Sequence, residues 1–121
     1  MPAATATLPA LRFRQVHLDF HTSPLIPEVG RDFDAAAFAE AVEAAHIDSI
    51  TCFAKCHHGM SYYPTKAGVQ HPSLKFDLLG EQIEACKKRG LATPVYISVR
   101  VDQHIGMTRP DLVARLKDGK L

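Results

Sequence analysis

From Phe53 to Gly68 the chain reads FAKCHHGMSYYPTKAG, so a lysine, a cysteine, two adjacent histidines, a glycine and two tyrosines follow a short apolar run. A neutral imidazole offers one donor and one acceptor, which suits sugar hydroxyls, and the faces of Tyr62 and Tyr63 suit the C–H face of a pyranose. Metal binding is the competing chemistry. Cys52-x3-Cys56-His57-His58 fits it poorly, because a structural zinc site wants a close ligand pair plus a second remote pair, and the remaining thiol is Cys86. An ordinary polar loop is the third reading.

A second group lies upstream, where His17, Asp19 and His21 alternate with Val16, Leu18 and Phe20. That period-2 pattern gives a strand with one apolar and one ionisable face. At about 3.3 Å of rise per residue, His17 and His21 stand roughly 13 Å apart, too far to share a metal ion. Asp19 is roughly 6–7 Å from either, which allows a pair of contacts to a polar ligand or a hydrogen-bonded pair inside a core. Further candidates are His71 before Pro72, and Arg100, Asp102 and His104 after a third apolar run. Tyr96, Ser98 and Arg100 share one face of that run and Val95, Ile97 and Val99 the other, with no sign of which face looks inward.

Such groups need rigid elements beneath them. RQVHLDF reads as a first strand, IDSITCFAK as a second and TPVYISV as a third. Between the first two, Asp34 is placed to cap a helix, Phe33 and Phe38 form its hydrophobic staple, and Phe38, Ala41, Val42 and Ala45 mark a buried stripe. FDLLGEQIEACKKRG repeats the grammar, with Asp77 as cap, Leu79, Ile83 and Cys86 on one face, and Gly90 past the end. A long loop from Lys55 to about Lys75 separates the second strand from this helix. Near the C-terminus, Thr108 to Asp111 with Pro110 resembles a capping box, and Asp118-Gly119 is a turn signal.

Strand, helix, strand, helix, strand implies parallel βα units. Ionisable groups on one strand face fit a barrel interior better than a doubly wound sheet, whose strands are apolar on both faces. The expected fold class is therefore α/β, the N-terminal βα units of an incomplete (β/α)8 TIM barrel with about three parallel strands and two to three helices. A full barrel takes roughly 250 residues, and this chain has 121. The expected organisation is a poorly ordered tail over 1–13 and a partial barrel domain over 14–121, truncated relative to the whole fold.

Composition bounds the partners. The formal net charge is +1, so no electrostatic case exists for nucleic acid or an anionic membrane surface. No apolar run reaches the roughly 18 residues of a spanning helix, and an odd set of three cysteines without a secretory leader reads as reduced thiols in the cytoplasm.

HLDFHTSP, FAKCHHGMSYYPTKAGVQHPSLKFDLLGEQIEACKKRGL and VYISVRVD resemble the N-terminal part of a family of glycoside hydrolases, hypothetical glycosyl hydrolase 6, and are more distantly similar to α-L-fucosidases. The resemblance covers residues 14 to 119. It implies a (β/α)8 barrel that hydrolyses glycosidic bonds, with His21, His57 and His58 contacting the glycone. Cys56 between the lysine and the histidines, and Leu112 in place of a tryptophan, depart from the pattern. The substrate-binding set expected is His21, His57, His58, Asp19 and Tyr63, with a carbohydrate as ligand and no cofactor or metal. Glycoside hydrolysis needs two carboxylates roughly 5 to 10 Å apart. By the resemblance both lie on later strands, so this chain alone is expected to be inactive, and open barrel edges are expected to favour self-association. Two alternatives are a metal-dependent hydrolase using Asp19, His21, His57 and His58, and a carbohydrate-binding module that oligomerises.

Overall fold

The computed structural model describes residues 10–115 and 117–120. Its elements run β1 (Gln15–His17), α1 (Ala35–Ala44), β2 (Ser49–Lys55), β3 (Met60–Ser61), β4 (Val69–Gln70), α2 (Leu78–Lys88), β5 (Val95–Ile97) and α3 (Gln103–Thr108), followed by a 3₁₀ turn at Pro110–Leu112. Most of the tail expected over 1–13 lies outside the described residues; residues 10–13 are exposed.

β2 is the centre of the sheet. β1 pairs with it in parallel through Gln15↔Ser49, Val16↔Ile50 and His17↔Thr51, and β5 pairs in parallel on its other edge through Cys52↔Val95 and Phe53↔Tyr96. This is a parallel-centred α/β sheet; β3, antiparallel to the end of β2, and β4 beside it form within residues 55–75, where the sequence predicts a loop.

Both crossover helices cover one face of β2. Ile50 and Cys52 point at Ala39 and Val42 of α1 and Cys86 of α2, with Phe38 and Leu79 packed around them. Burying a side chain such as Ile50, about 1.5–3 kcal/mol each, is what ties the helices to the sheet. Asp34 caps α1 through the Ala37 amide at 2.8 Å, and Phe33 and Phe38 meet at 5.6 Å between ring centroids, as the staple requires. The buried stripe is shifted from expectation: Ala39 and Val42 are buried, while Ala41 and Ala45 are exposed. Asp77 caps α2 through the Gly80 amide, and Gly90 takes the left-handed φ of +70° that ends it. The Arg89 guanidinium, at the end of α2, reaches Glu43 of α1.

The opposite face carries His17, Phe53 and Tyr96. Phe53 and Tyr96 stack at 4.3 Å, and the His17 ring meets both edge-on at 5.2 and 5.6 Å. That settles which face of β5 turns inward: Tyr96 and Ser98 do, whereas Val95, Ile97 and Val99 are exposed.

β1 is shorter than the RQVHLDF run, and the register explains why. Lys55 pairs with Ile97 on one side and with Ser61 on the other, so β3 takes the edge of β2 along which β1 would have continued. The segment after His17 is instead held by Tyr62. This fully buried phenol donates to the Phe20 carbonyl at 2.9 Å, accepts the Thr22 amide at 3.0 Å and lies 2.6 Å from the Thr22 hydroxyl. Tyr62 is therefore a structural residue, and no sugar reaches its face. Burial, ahead of its hydrogen bonds, pushes its pKa up, so it stays a phenol. Tyr62→Phe strands a part-buried carbonyl and a part-buried amide on either side of His21. A loss of about 1–2 kcal/mol in urea unfolding is expected, with an unchanged denaturant slope; a loss under 0.5 kcal/mol would contradict this.

The C-terminal expectation is corrected. No capping box forms, because the Thr108 hydroxyl donates back to the His104 carbonyl at 2.8 Å and Pro110 begins a separate 3₁₀ turn. The turn at Asp118-Gly119 is present, with Gly119 at φ +81°.

Candidate functional site

The site is built where β1, β2 and β5 end. Directly after β2, residues 56–59 form a tight turn closed by the Gly59 amide on the Cys56 carbonyl at 3.0 Å. This turn presents His57 and His58. Three supports hold it.

The first comes from β1. Asp19 Oδ1 lies 3.1 Å from His21 Nε2 and 3.6 Å from His17 Nε2, and the His57 amide donates to His21 Nδ1 at 3.1 Å. The His57 ring stacks on the His21 ring at 3.9 Å and 15°, and the His58 ring is tilted 4.4 Å from that of His57. The expected strand separation of His17 from His21 does not hold, because the chain leaves β1 after His17 and folds both imidazoles toward one carboxylate oxygen. Nor is Asp19 a core group: its side chain is 72% exposed.

The second support is α3, which the sequence reading missed. Asp102 caps it through the Ile105 amide at 2.8 Å, and its next amides reach across: Gln103 N–H donates to the His57 carbonyl at 2.8 Å and His104 N–H to the His58 carbonyl at 3.2 Å. The Gln103 side-chain oxygen is 2.6 Å from His58 Nδ1. The third is an ion pair, Lys55 Nζ to Asp102 Oδ2 at 2.7 Å, with the Asp102 side chain only 10% exposed. Burial alone would push the Asp102 carboxyl up; the Ile105 amide, Lys55 and His104 outweigh it and hold it below the usual carboxylate range.

The imidazole of His57 is held below its ordinary 6.5, first by burial and then by its neighbours His21 and His58, against a smaller opposing pull from Asp19. At neutral pH it is uncharged, with one donor and one acceptor. Phe53 and Tyr96 supply an aromatic wall beside the cluster, with ring centroids 5.1 and 5.7 Å from His21.

The other candidates separate from this cluster. Tyr63 borders a neighbouring cavity of about 350 Å³ together with Lys55, Ser61, Thr65, Asp102 and His104. His71 is buried, its Nε2 on the Ser23 carbonyl at 2.9 Å and its Nδ1 facing Ser73, so it braces a loop. Arg100 is exposed and makes no contribution to the cluster. Among the described residues, no group of three or more His, Cys, Asp or Glu side chains is arranged to hold a metal ion, and no helix is long and apolar enough to cross a membrane. All three cysteines are free and buried; burial, then the proximity of Cys86, raises the Cys52 thiol to about 12, so it is an unreactive core group.

The α-L-fucosidase isoenzyme 2 from Paenibacillus thiaminolyticus is 47% identical over 90% of this chain and 16% of its own, with a TM-score of 0.87. An α-L-fucosidase from Bacteroides thetaiotaomicron is 25% identical over 70% of this chain and 19% of its own, with a TM-score of 0.58. A bacterial fucosidase solved with an iminocyclitol inhibitor is also 25% identical, over 71% and 19%, with a TM-score of 0.55. The chain thus spans less than a fifth of the length of these enzymes. No curated protein matches it. The family described as hypothetical glycosyl hydrolase 6 matches residues 34–121, most of the chain and all of the His57–His58 turn, β5 and α3, and the chain belongs to that family.

Proposed function

We propose that this chain forms the glycone-binding part of a carbohydrate-hydrolysing (β/α)8 barrel acting on α-L-fucosides or closely related sugars. The observation that carries the reading is the cluster of His21, His57, His58 and Asp19 at the C-terminal ends of β1 and β2, on the sheet face opposite the helices and beside the Phe53–Tyr96 wall. Barrel enzymes build their sites at that end of the strands. Both crossover helices on one side of the sheet fit the same architecture. The neutral imidazole of His57 and the exposed carboxylate of Asp19 take the sugar hydroxyls, His58 assists from the same turn, and Tyr63 contributes from the adjacent cavity.

Hydrolysis asks for a nucleophile and an acid. Asp102 is committed to Lys55 and the Ile105 amide, and Asp19 to two imidazoles, so neither is assigned those roles. The chain alone binds saccharide without turning it over. In the complete barrel a further strand and helix cover Val95, Ile97 and Val99; in this chain by itself those residues favour self-association.

The test is a titration of the chain with L-fucose, followed by NMR, across pH. Because the folded pKa of His57 lies below its ordinary 6.5, the unfolded state takes up this proton first; the stabilising contribution is whole above about 6.5 and declines as pH falls below it. Affinity is expected to hold from neutral pH through 6.5 and to fall only at lower pH, as His57 is protonated through its depressed folded pKa and loses its acceptor. Perturbed signals should include Asp19, His57 and His58. Stoichiometric zinc, iron or manganese in the purified protein, or a sugar response confined to other residues, would overturn the reading.

A further inference from the structure

Residues 24–31, which follow β1, and residues 72–76, which lead into α2, enclose a cleft of about 660 Å³. That is the size of a small-molecule site, and its walls have spent their polar groups on one another. Pro24, Pro27 and Pro72 have no amide hydrogen to offer. The Leu25 and Ile26 amides donate to the Ser23 hydroxyl and carbonyl, and the Val29 amide donates to the Ser73 hydroxyl at 3.1 Å. That hydroxyl donates in turn to the Ile26 carbonyl at 3.0 Å. The Arg31 guanidinium is divided between Glu28 and Asp32, and Lys75 Nζ donates to the Pro72 carbonyl at 3.3 Å. A further sugar ring would find few free partners for its hydroxyls here, whereas an apolar ring needs none.

The same bonds give the cleft its shape before any ligand arrives. Ser73 ties one wall to the other, and the buried His71 ring holds the Ser23 carbonyl at 2.9 Å. Phe76 packs so closely on Gly30 that a Cβ built there would fall 3.0 Å from Phe76 Cζ, and its ring stacks on Phe33 at 6.1 Å. Leu25 and Ile26 are left at the surface, Leu25 with 89% of its area exposed.

Both walls belong to segments that follow the C-terminal ends of β1 and β2, so the cleft opens at the end of the sheet that carries the histidine cluster. Pro24 is three residues on from His21. Three extended residues reach no further than about 11 Å, and the near wall therefore stands within that distance of the cluster.

We propose that this cleft is the subsite for an apolar, ring-bearing aglycone, the group joined to the sugar that the histidine cluster holds. The aglycone ring lies on Pro24, Pro27 and Phe76, with Leu25 and Ile26 along its edge. This rests on the saccharide-binding reading for what delivers the ring; the apolar cleft itself is a property of the free protein.

The test compares three probes on the ¹⁵N,¹³C-labelled chain by NMR titration: methyl α-L-fucoside, 2-naphthyl α-L-fucoside and free 2-naphthol. The naphthyl fucoside should bind at least about tenfold more tightly than the methyl fucoside, as withdrawing an aryl ring from water requires. Its extra perturbations should fall on Leu25, Ile26, Val29 and Phe76. Leu25→Asp changes a side chain that the fold does not bury. It should remove most of the naphthyl advantage and leave the methyl fucoside within about twofold of the parent.

Equal affinities for the two fucosides would overturn the proposal while leaving the saccharide reading standing. So would a naphthyl response on the exposed Val95 and Ile97 instead of the cleft. If neither fucoside binds and 2-naphthol still perturbs Leu25, Ile26 and Phe76, the saccharide reading fails and the cleft stands as a site for an apolar ring. If 2-naphthol also leaves those residues unmoved, the cleft binds no such ring and the proposal fails by itself. Sedimentation of the parent and Leu25→Asp completes the set: a change of oligomeric state with no change in naphthyl affinity would make the cleft a contact between copies of this chain, and would overturn the proposal.

Discussion

Gly59→Ala is expected to destabilise the chain by about 3–4 kcal/mol and to abolish saccharide binding. Two separate costs add. Gly59 sits at φ +84°, where an L side chain strains the backbone, and a Cβ built there falls 2.4 Å from Asp102 Oδ1 and 2.7 Å from the Cβ of His104. Neither neighbour has room to yield. Asp102 is held by Lys55 and by the first turn of α3, and the His104 amide is bonded to the His58 carbonyl. The turn must open, and it is the turn that presents His57. Gly90 provides the control, since it has a similar φ of +70° but nothing within 4 Å of a built Cβ. Gly90→Ala should cost only the backbone strain, about 1–2 kcal/mol, and leave binding intact. Urea unfolding and L-fucose titration of the pair separate strain from overlap. Equal effects of the two substitutions would show that close packing against Asp102 does not matter.

Lys55→Met ranks second. It leaves the Asp102 carboxylate largely buried with one oxygen unpaired, a situation that costs 3–5 kcal/mol when full burial applies. Lys55 is 27% exposed and water reaches the pair, so a loss of about 2 kcal/mol is expected at pH 7. The pH dependence identifies the cause. The folded-state pKa of Asp102 is below its ordinary 3.8, so its contribution is whole above that value and is lost as pH falls through the folded pKa. The gap between parent and Lys55→Met should therefore be constant from pH 7 to about 5 and close below about 4. Adding Asp102→Asn to Lys55→Met should recover part of the loss by removing the stranded charge. A gap that persists unchanged at pH 3 would assign the loss to packing of the lysine stem.

Much of this molecule was legible in its residues, for identifiable reasons. Asp34, Asp77 and Gly90 act locally, through bonds to amides three residues away or through one dihedral angle, so their roles do not depend on the rest of the fold. The β2 run is buried on both faces and is unmistakable in composition. β1 was overextended because its length is set by a competitor, β3, that takes the edge of β2 at Lys55. The two-residue β3 and the six-residue α3, which contains Gly106, are too short to carry a period.

The histidine cluster was found by residue type, but not its internal order. The roles of Tyr62, Tyr63 and His71 turn on three-dimensional partners: a backbone segment 40 residues away for Tyr62, a separate cavity for Tyr63 and the Ser23 carbonyl for His71. Residue type could not distinguish them. The ion pair of Lys55 with Asp102 spans 47 positions and depends on the β2–β5 register, which no single segment reveals.

The bridge from α3 to the carbonyls of His57 and His58 also sets where the gene can change length. The connector from Ile97 to Gln103 has one end pinned by strand pairing, with the Ser98 amide on the Lys55 carbonyl and the Ser98 hydroxyl on the Val101 carbonyl, and the other end pinned to the histidine turn. A single inserted or deleted codon there rotates Gln103 and His104 away from both carbonyls. Residues 64–68, closed mainly by the Thr65 hydroxyl on the Ala67 and Gly68 amides, have no such obligation to the turn. Length variation among related genes is thus expected to collect in that second loop and to be excluded from the first.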